Sequence, residues 1–537
     1  MRFLPFALAL ALPTVALGCV ADSSSPTSQE DDFTSAVSTL LDFDFDGELV
    51  MTAGSGPRGS IRAQLLFMVG HLNAEGGAPR LGKMTLTNIA TTAMPNGLSQ
   101  VRYHAKLPVA WPSKASLPTT YELTVPKRTD AAGQGDFVKR YAKACADEPS
   151  DANVSNYWYH YRPRLAGCQL APADVTRVTA KVTKSPLNAA SKYPEYHRVW
   201  EDDSLDVVAV FGKYEEGATS PSDAGIEAYD RFVGAMRGAF PKAATTPAAL
   251  PELPGAATPD VTFDVELDGG RALHLTALLV DKVATAPASF DARFGELTPG
   301  ADLVLYAGHA GLGANMHALT QKARFFPQKY QLFFLDGCDT FAYEDDSLTV
   351  ARAPLNPDDP TGAKYLDVMM NSMPAYFSSM PDASMAVLQA LVNDAQPKTY
   401  ESIFKGIDAA QNVVVVGEED NVFTPGLTLG ARWDGLYETG SVTYKEQKAI
   451  VTGMLPAGKY VFSMVPDPAA PGGDADVYLK VGGAPPIDKT AKCPSYKANS
   501  NERCFVTLKA PSKVYMTVVG DKQTSSEWLL RGFQRID

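Results

Sequence analysis

The sequence predicts a multidomain α/β plus β protein, in which an α/β domain with a mostly parallel sheet lies between two mainly β regions. Three observations carry this prediction. The chain has 537 residues, which is too long for one hydrophobic core. Over residues 196–428 short apolar runs alternate with helical patterns, as is typical of parallel strands covered by helices. On either side, short apolar or alternating runs are separated by turn residues, which favours antiparallel sheets.

The N-terminus predicts export and lipidation. Arg2 precedes an apolar stretch, Phe3 to Leu17, that is too short and too interrupted by proline to span a bilayer. It leads into Ala16-Leu17-Gly18-Cys19, which resembles a bacterial lipobox. Residues 1–18 are therefore expected to be a signal peptide and Cys19 the lipidated first residue of the mature protein. An ordinary cleaved signal peptide is the alternative.

Two segments follow the expected anchor. Residues 19–41 are rich in Ser, Asp and Thr and are predicted to be a tether. Residues 42–195 are predicted to be a mainly β domain. Its strand candidates include the runs at 61–67 and 100–107, and the aromatic run at 156–161 is interpreted as a strand with one packed face rather than a ligand site.

The central region, residues 196–428, predicts six strands and two helices. One helix covers 222–240, with Ser222 or Asp223 as its cap and apolar residues at helical spacing; the other covers 384–392. The strands are expected at 205–211, 277–280, 303–306, 332–335, 366–370 and 413–416.

Composition and charge exclude several function classes. The formal net charge is −13 and no Lys/Arg cluster is present, so no nucleic-acid partner is expected. The motifs H-E-x-x-H, C-x-x-C and G-x-S-x-G are missing from the sequence, and we predict no metal or cofactor. Solvated loops, rather than structural Ca²⁺ sites, are the favoured interpretation of three acidic clusters because their spacing is not that of an EF-hand. The clusters are Asp345-Asp346, Asp358-Asp359 and Glu418-Glu419-Asp420.

Cysteine usage singles out one thiol. The chain has six cysteines, and if Cys19 is lipidated five remain in an oxidising compartment, where free thiols are disfavoured. Cys338 stays unpaired if the others form local disulfides, and an odd cysteine in an exported protein is a candidate reactive thiol. The expected disulfides are Cys145–Cys168 and Cys493–Cys504.

A histidine and this cysteine follow neighbouring predicted strands. His309 comes after the run at 303–306, and Cys338 comes after the run at 332–335. Catalytic groups of open α/β sheets lie beyond the carboxyl ends of the strands, so this placement predicts a thiol nucleophile with an imidazole base. Backbone N–H groups in the two small-residue loops are candidates for an oxyanion hole. They belong to Ala310, Gly311 and Cys338.

These residues resemble the caspase-like cysteine peptidases (clan CD), which include caspases, metacaspases, legumain, clostripain and gingipains. In that group one hydrophobic strand ends in His-Gly and the next ends in the nucleophilic Cys. The separation of 29 residues between His309 and Cys338 is most similar to the gingipain or clostripain pattern. The resemblance covers about residues 200–425 and implies a caspase-like fold for the central region. One departure is that Ala310 stands between His309 and Gly311, where the group has His-Gly.

The resemblance also implies a substrate preference. Asp336 lies two residues before Cys338. In metacaspase-like and clostripain-like members an Asp at this place lines the S1 pocket, which implies Arg or Lys at P1 through a charge-assisted contact. A structural role, in which Asp336 caps a nearby loop, stays open beside it.

The last region, residues 431–537, predicts a small β sandwich. Its strands are expected at 458–462, 474–479, 505–508 and 514–518. Together with the Cys493–Cys504 pair they resemble the bacterial pre-peptidase C-terminal domain, which is typically appended to exported peptidases.

The resulting prediction is a cell-surface cysteine endopeptidase that acts on protein or peptide substrates. It would be a bacterial lipoprotein of the outer membrane or cell surface, in contact with the membrane only through its lipid anchor. Cys338 would attack the scissile carbonyl and His309 would protonate the leaving amine. Two alternatives stay open: a catalytically inactive caspase-like lipoprotein that binds peptide or glycan, and an acyl transferase or transpeptidase that uses the same pair.

Overall fold

A computed structural model of the chain describes residues 32–268, 271–356, 359–425, 435–466, 473–488, 490–491, 500, 502–521, 523 and 525–535. The first part of this range contains β1 (Phe33–Ser35), β2 (Thr39–Thr52), α1 (Pro57–Leu65), α2 (Phe67–Asn73), β3 (Ala78–Pro79), β4 (Thr85–Met94), β5 (Leu98–Trp111), β6 (Thr120–Pro126), α3 (Ala131–Cys145), α4 (Tyr157–His160) and β7 (Val175–Lys184).

The middle part contains α5 (Tyr196–Val199), β8 (Ser204–Gly212), α6 (Ala224–Ala239), β9 (Ala244–Thr246), β10 (Asp260–Glu266), β11 (Ala272–Val280), α7 (Ala288–Leu297), β12 (Leu303–Ala307), α8 (Ala314–Lys322), β13 (Gln331–Asp336), α9 (Thr340–Tyr343), α10 (Ser347–Arg352), β14 (Leu366–Asn371), α11 (Met380–Val392), α12 (Tyr400–Phe404) and β15 (Val413–Val416). The last part contains β16 (Leu436–Val442), β17 (Gln447–Val451), β18 (Gly458–Pro466), β19 (Ala475–Val481), β20 (Glu502–Leu508), β21 (Val514–Gly520) and β22 (Ser526–Arg535).

The largest sheet has nine strands in the order β1-β15-β14-β13-β12-β8-β11-β10-β9. The strands β14, β13, β12, β8 and β11 run parallel to one another, and β15, β1, β10 and β9 pair antiparallel. This confirms the predicted α/β architecture with parallel strands. Counted from β8, the parallel core has the order 2-1-3-4-5, so the winding direction reverses between β8 and β12. Ligands of doubly wound sheets bind beyond the carboxyl ends of the strands at this switch point.

The parallel strands coincide with the apolar runs of the sequence because both faces of the sheet are covered. Every residue of β12, β13, β14 and β15 is buried. Helix α6 covers one face: it buries Ile226, Tyr229, Phe232 and Met236, which follow helical spacing. Its cap is Asp223, whose carboxylate accepts the N–H groups of the first turn.

The first region is built on an antiparallel sheet of six strands, in the order β3-β5-β2-β7-β6 with β4 on β5. Four helices accompany it, and two strand predictions are wrong here. The run at 61–67 lies mainly in α1, which starts with proline at its first turn and buries Gln64 on the carbonyls of Glu48 and Pro126. The run at 156–161 forms the short helix α4 instead of a strand.

The segment predicted as a tether is folded at its end. Phe33 is buried and its ring packs on Phe341 at 5.8 Å, while Phe33–Ser35 pairs with β15 at the edge of the nine-stranded sheet. The Ser- and Thr-rich composition does not reveal this strand, which is held by Phe33, by its pairing with β15 and by the hydrogen bond of Ser35 to the Val413 carbonyl. The rest of the predicted tether up to residue 31, together with Cys19, lies outside the described residues.

The last region contains two antiparallel sheets, β16-β22-β18-β20 and β17-β21-β19, that share one core. Phe462 and Trp528 from the first sheet and Val477 and Met516 from the second are among its buried residues. Two facing antiparallel sheets agree with the coarse β prediction for this region.

The predicted Cys145–Cys168 disulfide is present, and Cys338 is free. Cys504 is disulfide-bonded, and Cys493, its predicted partner, lies outside the described residues. In the described part of the chain, no helix combines the length and apolar character needed to cross a membrane.

Candidate active site

The turns after β12 and β13 lie against each other at the carboxyl edge of the sheet. The Gly308 N–H donates to the Asp336 carbonyl at 3.1 Å, which extends the parallel ladder by one bond. Gly337 leaves no room for a side chain, because a Cβ there would lie 2.8 Å from the Gly308 carbonyl oxygen and 3.3 Å from the Ala310 nitrogen. The loops that carry His309 and Cys338 are therefore direct neighbours.

The main chain of His309 is held by two donors. Its carbonyl accepts the Tyr306 hydroxyl at 2.6 Å and the Asn315 side-chain amide at 2.7 Å. Both donors come from the elements that flank the turn, β12 and α8. This fixes the position of the loop relative to the sheet.

The His309 ring forms a cluster with two aromatic side chains, which also contact each other. The ring centroids of Tyr214 and Phe377 are each 5.0 Å from it, and their planes are tilted by 48° and 70°. Burial lowers the pKa of His309, and a hydrogen bond with the Tyr214 backbone opposes this shift. The imidazole is therefore neutral at neutral pH, as a general base must be.

The Cys338 side chain is a partly buried free thiol. Its sulfur donates to the Ala375 carbonyl oxygen at 3.4 Å, and within the described residues we find no hydrogen bond between it and His309. Burial raises the thiol pKa to about 11, and the carboxyl groups of Asp339 and Asp336 add to the rise. The structure thus brings the two turns together with the thiol protonated and directed to a carbonyl. Catalytic hydrogen bonds in unliganded enzymes are often formed only in the substrate complex.

The three backbone amides predicted for the oxyanion hole are free donors. Among the described residues, the N–H groups of Ala310, Gly311 and Cys338 donate to no protein acceptor. Ala310 is buried and Cys338 half-buried, whereas Gly311 is exposed. Buried or half-buried amides are usually paired, so the free amides of Ala310 and Cys338 in adjoining turns are available to a ligand oxygen.

Asp336, the predicted S1 residue, is fully buried at the end of β13. Its carboxyl accepts the Asn371 side-chain amide at 2.7 Å. Burial raises its pKa to about 8, and the Asn371 donor together with the nearby Gln411 side chain limits the rise. In this conformation the carboxyl is mostly protonated at neutral pH and faces other protein groups.

Asp339 forms a second buried carboxyl beside the thiol. It is fully buried in a left-handed turn, with φ of 53°, and neither carboxyl oxygen makes a hydrogen bond of standard geometry among the described residues. Burial raises its pKa to about 7, whereas the side chains of Asn73 and Tyr159 lie close enough to lower it. Asp339 thus occupies a turn and also brings its carboxyl close enough to Cys338 to raise the pKa of the thiol.

Four side chains or carbonyls at this site were missed by the sequence reasoning: Tyr214, Phe377, Ala375 and Tyr159. Tyr214 could have been found, because it follows β8 at the same sheet edge as His309. Ala375 and Phe377 follow β14 and are detectable by the same rule. Tyr159 carries no such signal, since it comes from another sheet region.

The acidic clusters do not form a metal site within the described residues, where no group of three or more His, Cys, Asp or Glu side chains could hold an ion. Asp345 pairs with His317 at 3.0 Å and Asp346 with Lys83 at 2.7 Å. Asp358 lies outside the described residues.

Comparisons with known proteins give little guidance. No family model matches the chain, and no curated protein matches it. One similar solved structure is the Bacillus licheniformis lipase BlEst2 in its propeptide form, with 9% sequence identity and a TM-score of 0.15; the match covers 62% of this chain and 75% of that chain. A likeness this distant carries no argument about fold or function.

Proposed function

We propose that the protein is a cysteine endopeptidase with a caspase-like catalytic domain. The observation that carries this proposal is the contact between the His309 and Cys338 turns at the carboxyl edge of a parallel sheet, where the His309 turn borders the switch point between β8 and β12. A free thiol, a neutral imidazole and free amides meet there. This is the set of groups that acyl transfer by a thiol requires.

In the proposed reaction the Cys338 sulfur attacks the scissile carbonyl and His309 takes up the thiol proton. His309 then donates that proton to the leaving amine, which leaves a thioester on Cys338. Water hydrolyses the thioester and regenerates the thiol. The amides of Ala310, Gly311 and Cys338 would donate to the oxyanion of each tetrahedral intermediate.

A preference for Arg or Lys at P1 belongs to the same proposal. Asp336 and Asp339 place two carboxyl groups at the thiol, and oxygen atoms of both lack standard hydrogen bonds among the described residues. A guanidinium brings five N–H donors and would satisfy such acceptors while favouring their ionised form. Because Asp336 is buried, substrate binding must open a path to it.

A second candidate function is a caspase-like scaffold that binds peptide or glycan without cleaving it. The thiol environment favours it: the pKa of Cys338 is raised to about 11, and the sulfur bonds to Ala375 rather than to His309. A thiol with that pKa is almost entirely protonated at neutral pH and is a poor nucleophile until the site rearranges.

We also propose, from the lipobox-like sequence at Cys19, that the protein is a lipoprotein of the outer membrane or cell surface. The C-terminal pair of sheets would then be a pre-peptidase C-terminal-like domain beside the catalytic domain. Globomycin inhibition of signal-peptide removal, together with mass analysis of the mature N-terminus, tests the lipid at Cys19.

The deciding experiment for the activity is covalent labelling by a thiol-reactive peptide that ends in Arg or Lys. A matched peptide that ends in Asp and the Cys338→Ala variant serve as controls. Labelling of Cys338 by the basic probes alone supports the peptidase with a basic P1 preference. A thiol that reacts with a small alkylating agent but with no peptide probe supports the binding scaffold.

A further inference from the structure

Two aromatic side chains contact the imidazole of the candidate active site from different elements of the sheet. The rings of Tyr214 and Phe377 each lie 5.0 Å from the His309 ring, centroid to centroid, and 5.6 Å from each other. Phe377 is partly buried against the core, whereas Tyr214 is 49% exposed. The three rings therefore form an aromatic cluster that is open to solvent at Tyr214.

The position of Tyr214 is fixed by the first turn of α6. The Asp223 carboxylate accepts the N–H groups of Tyr214 and Glu215 at 3.0 and 2.8 Å, and it also accepts two N–H groups of the helix. One carboxylate thus holds both the start of the helix and the turn after β8. Tyr214 is half exposed although its backbone is tightly held, which is the arrangement expected of a preformed binding surface.

The segment that carries Phe377 connects the two halves of the proposed dyad. The Ala375 carbonyl accepts the thiol at 3.4 Å, and two residues later the Phe377 ring contacts His309. Between them, the Tyr376 carbonyl accepts the N–H and the hydroxyl of Ser379 at 2.9 and 3.0 Å, at the start of α11. The ring of Phe377 is therefore placed by the same short segment that meets the thiol.

The proposed reaction brings the leaving group of the substrate to this aromatic cluster. His309 donates its proton to the leaving amine, so that nitrogen must come within about 3 Å of the imidazole. The nitrogen belongs to P1′, the residue that follows the scissile bond, and the P1′ side chain branches from the next atom of the peptide. The side chain is therefore within reach of the rings that contact His309.

We propose that Tyr214 and Phe377 form a subsite for an aromatic or large aliphatic P1′ side chain. The inference deepens the proposed function and rests on His309 as the proton donor to the leaving amine. Aromatic rings pair favourably in offset or edge-to-face geometry with centroids about 4.5–7 Å apart, and an apolar side chain would also remove the exposed Tyr214 ring from water. The substrate class is then a peptide with Arg or Lys before the scissile bond and an apolar residue after it.

The test measures peptide binding to the full chain carrying Cys338→Ala, by fluorescence anisotropy. Three labelled peptides share Arg at P1: one has Phe at P1′, one has Ser at P1′, and one has Ser at P1′ with Phe at P2. The first should bind about tenfold more tightly than the second, since apolar pockets discriminate at about this level. Adding Tyr214→Ala should remove most of this difference and leave the affinity of the second peptide unchanged.

Two further variants control for folding and for unspecific loss of an aromatic surface. Tyr444→Ala removes a tyrosine of similar exposure, 42%, from the last region and should leave all three affinities unchanged. Phe377→Leu keeps an apolar side chain against the core but removes the ring, so it should reduce the advantage of Phe at P1′. Urea unfolding of each variant shows that the fold is retained.

Equal affinities for Phe and Ser at P1′, no binding of either peptide, or equal losses for both in Tyr214→Ala would overturn the inference. A gain from Phe at P2 that depends on Tyr214 would also overturn it, because the rings would then lie on the other side of the scissile bond. Binding needs no catalysis, so the two proposals fail separately. A Phe preference that depends on Tyr214, without labelling of the wild type by any peptide probe, would reject the peptidase and retain the aromatic subsite in a binding scaffold. Labelling of Cys338 with equal affinities would do the reverse.

Discussion

Buried charged groups at the amino ends of the parallel strands form ion pairs. At the carboxyl ends, among the described residues, the buried carboxyl groups mostly lack a cationic partner. Lys329 and Asp302, which precede β13 and β12, are both fully buried and form an ion pair. Arg531 of β22 joins them through Glu201, at 3.3 Å. At the opposite ends, Asp336 and Asp339 are just as buried, and burial raises the pKa of both.

The difference separates a charge cluster that stabilises the fold from one that lies at the proposed active site. A buried ion pair satisfies its own charges and ties β22 to the nine-stranded sheet. A carboxyl without a cation costs free energy in the folded state and is expected where a ligand or a reaction uses it. The two sets of carboxyl groups lie at opposite ends of the same sheet and are equally buried, so burial alone does not distinguish them; their partners do.

The largest expected effect comes from breaking the paired cluster. Lys329→Met removes the cation and leaves Asp302 buried, so the free energy of unfolding should fall by about 3–5 kcal/mol. Urea unfolding followed by tryptophan fluorescence measures it. The control is Lys282→Met, since the Lys282–Glu216 pair is exposed by 47% and 56% and should contribute at most about 1 kcal/mol. Equal losses in both variants would show that the buried cluster does not hold the sheet.

A smaller effect of opposite sign is expected at the unpaired end. Because the pKa of Asp336 is raised to about 8, the folded state keeps its proton while the unfolded state loses it above about pH 4. The folded state therefore loses stability from this group as the pH rises from about 4 to 8. Asp336→Asn has no titrating carboxyl, so this loss of stability with rising pH disappears. The new amide can also donate to the unpaired side-chain oxygens of Asn371 and Gln411.

The measurement is urea unfolding of wild type and Asp336→Asn at pH 5, 6 and 7. The variant should gain about 2.6 kcal/mol relative to wild type between pH 5 and 7, at no more than about 1.4 kcal/mol for each pH unit. Asp382→Asn, at a side chain that is 75% exposed, is the control for the loss of one charge. A difference that stays constant with pH would mean that Asp336 is already ionised in the folded protein.

The same comparison shows what the sequence could predict. The strand positions, and the placement of His309 and Cys338 after them, follow from apolar runs that end in small or polar residues. The partners do not follow, because Asp302 meets Lys329 only through the register of β12 on β13, and Trp158 meets Tyr343 only through the packing of another sheet region. Local pattern gives the elements, whereas the contacts between distant elements depend on tertiary packing.

The aromatic run at 156–161 illustrates the limit. Its aromatic residues have high strand propensity, yet contacts with other parts of the chain stabilise it as the helix α4. Gly70 and Arg162, which lie outside the run, supply the close approach and the carbonyl partners. No window confined to the run contains that information.

The smallest expected effect on stability is at the thiol itself. Cys338→Ala removes one sulfur from a half-buried position, and its hydrogen bond to Ala375 at 3.4 Å is weak because a thiol is a weak donor. The free energy of unfolding should therefore change by less than about 1 kcal/mol, while all labelling by peptide probes is lost. Urea unfolding of Cys338→Ala beside Lys329→Met compares how much each end of the sheet contributes to the free energy of unfolding. A loss above about 2 kcal/mol would contradict the distinction between the two ends of the sheet. It would mean that the fold needs the thiol for packing as much as it needs the ion pair at the other end.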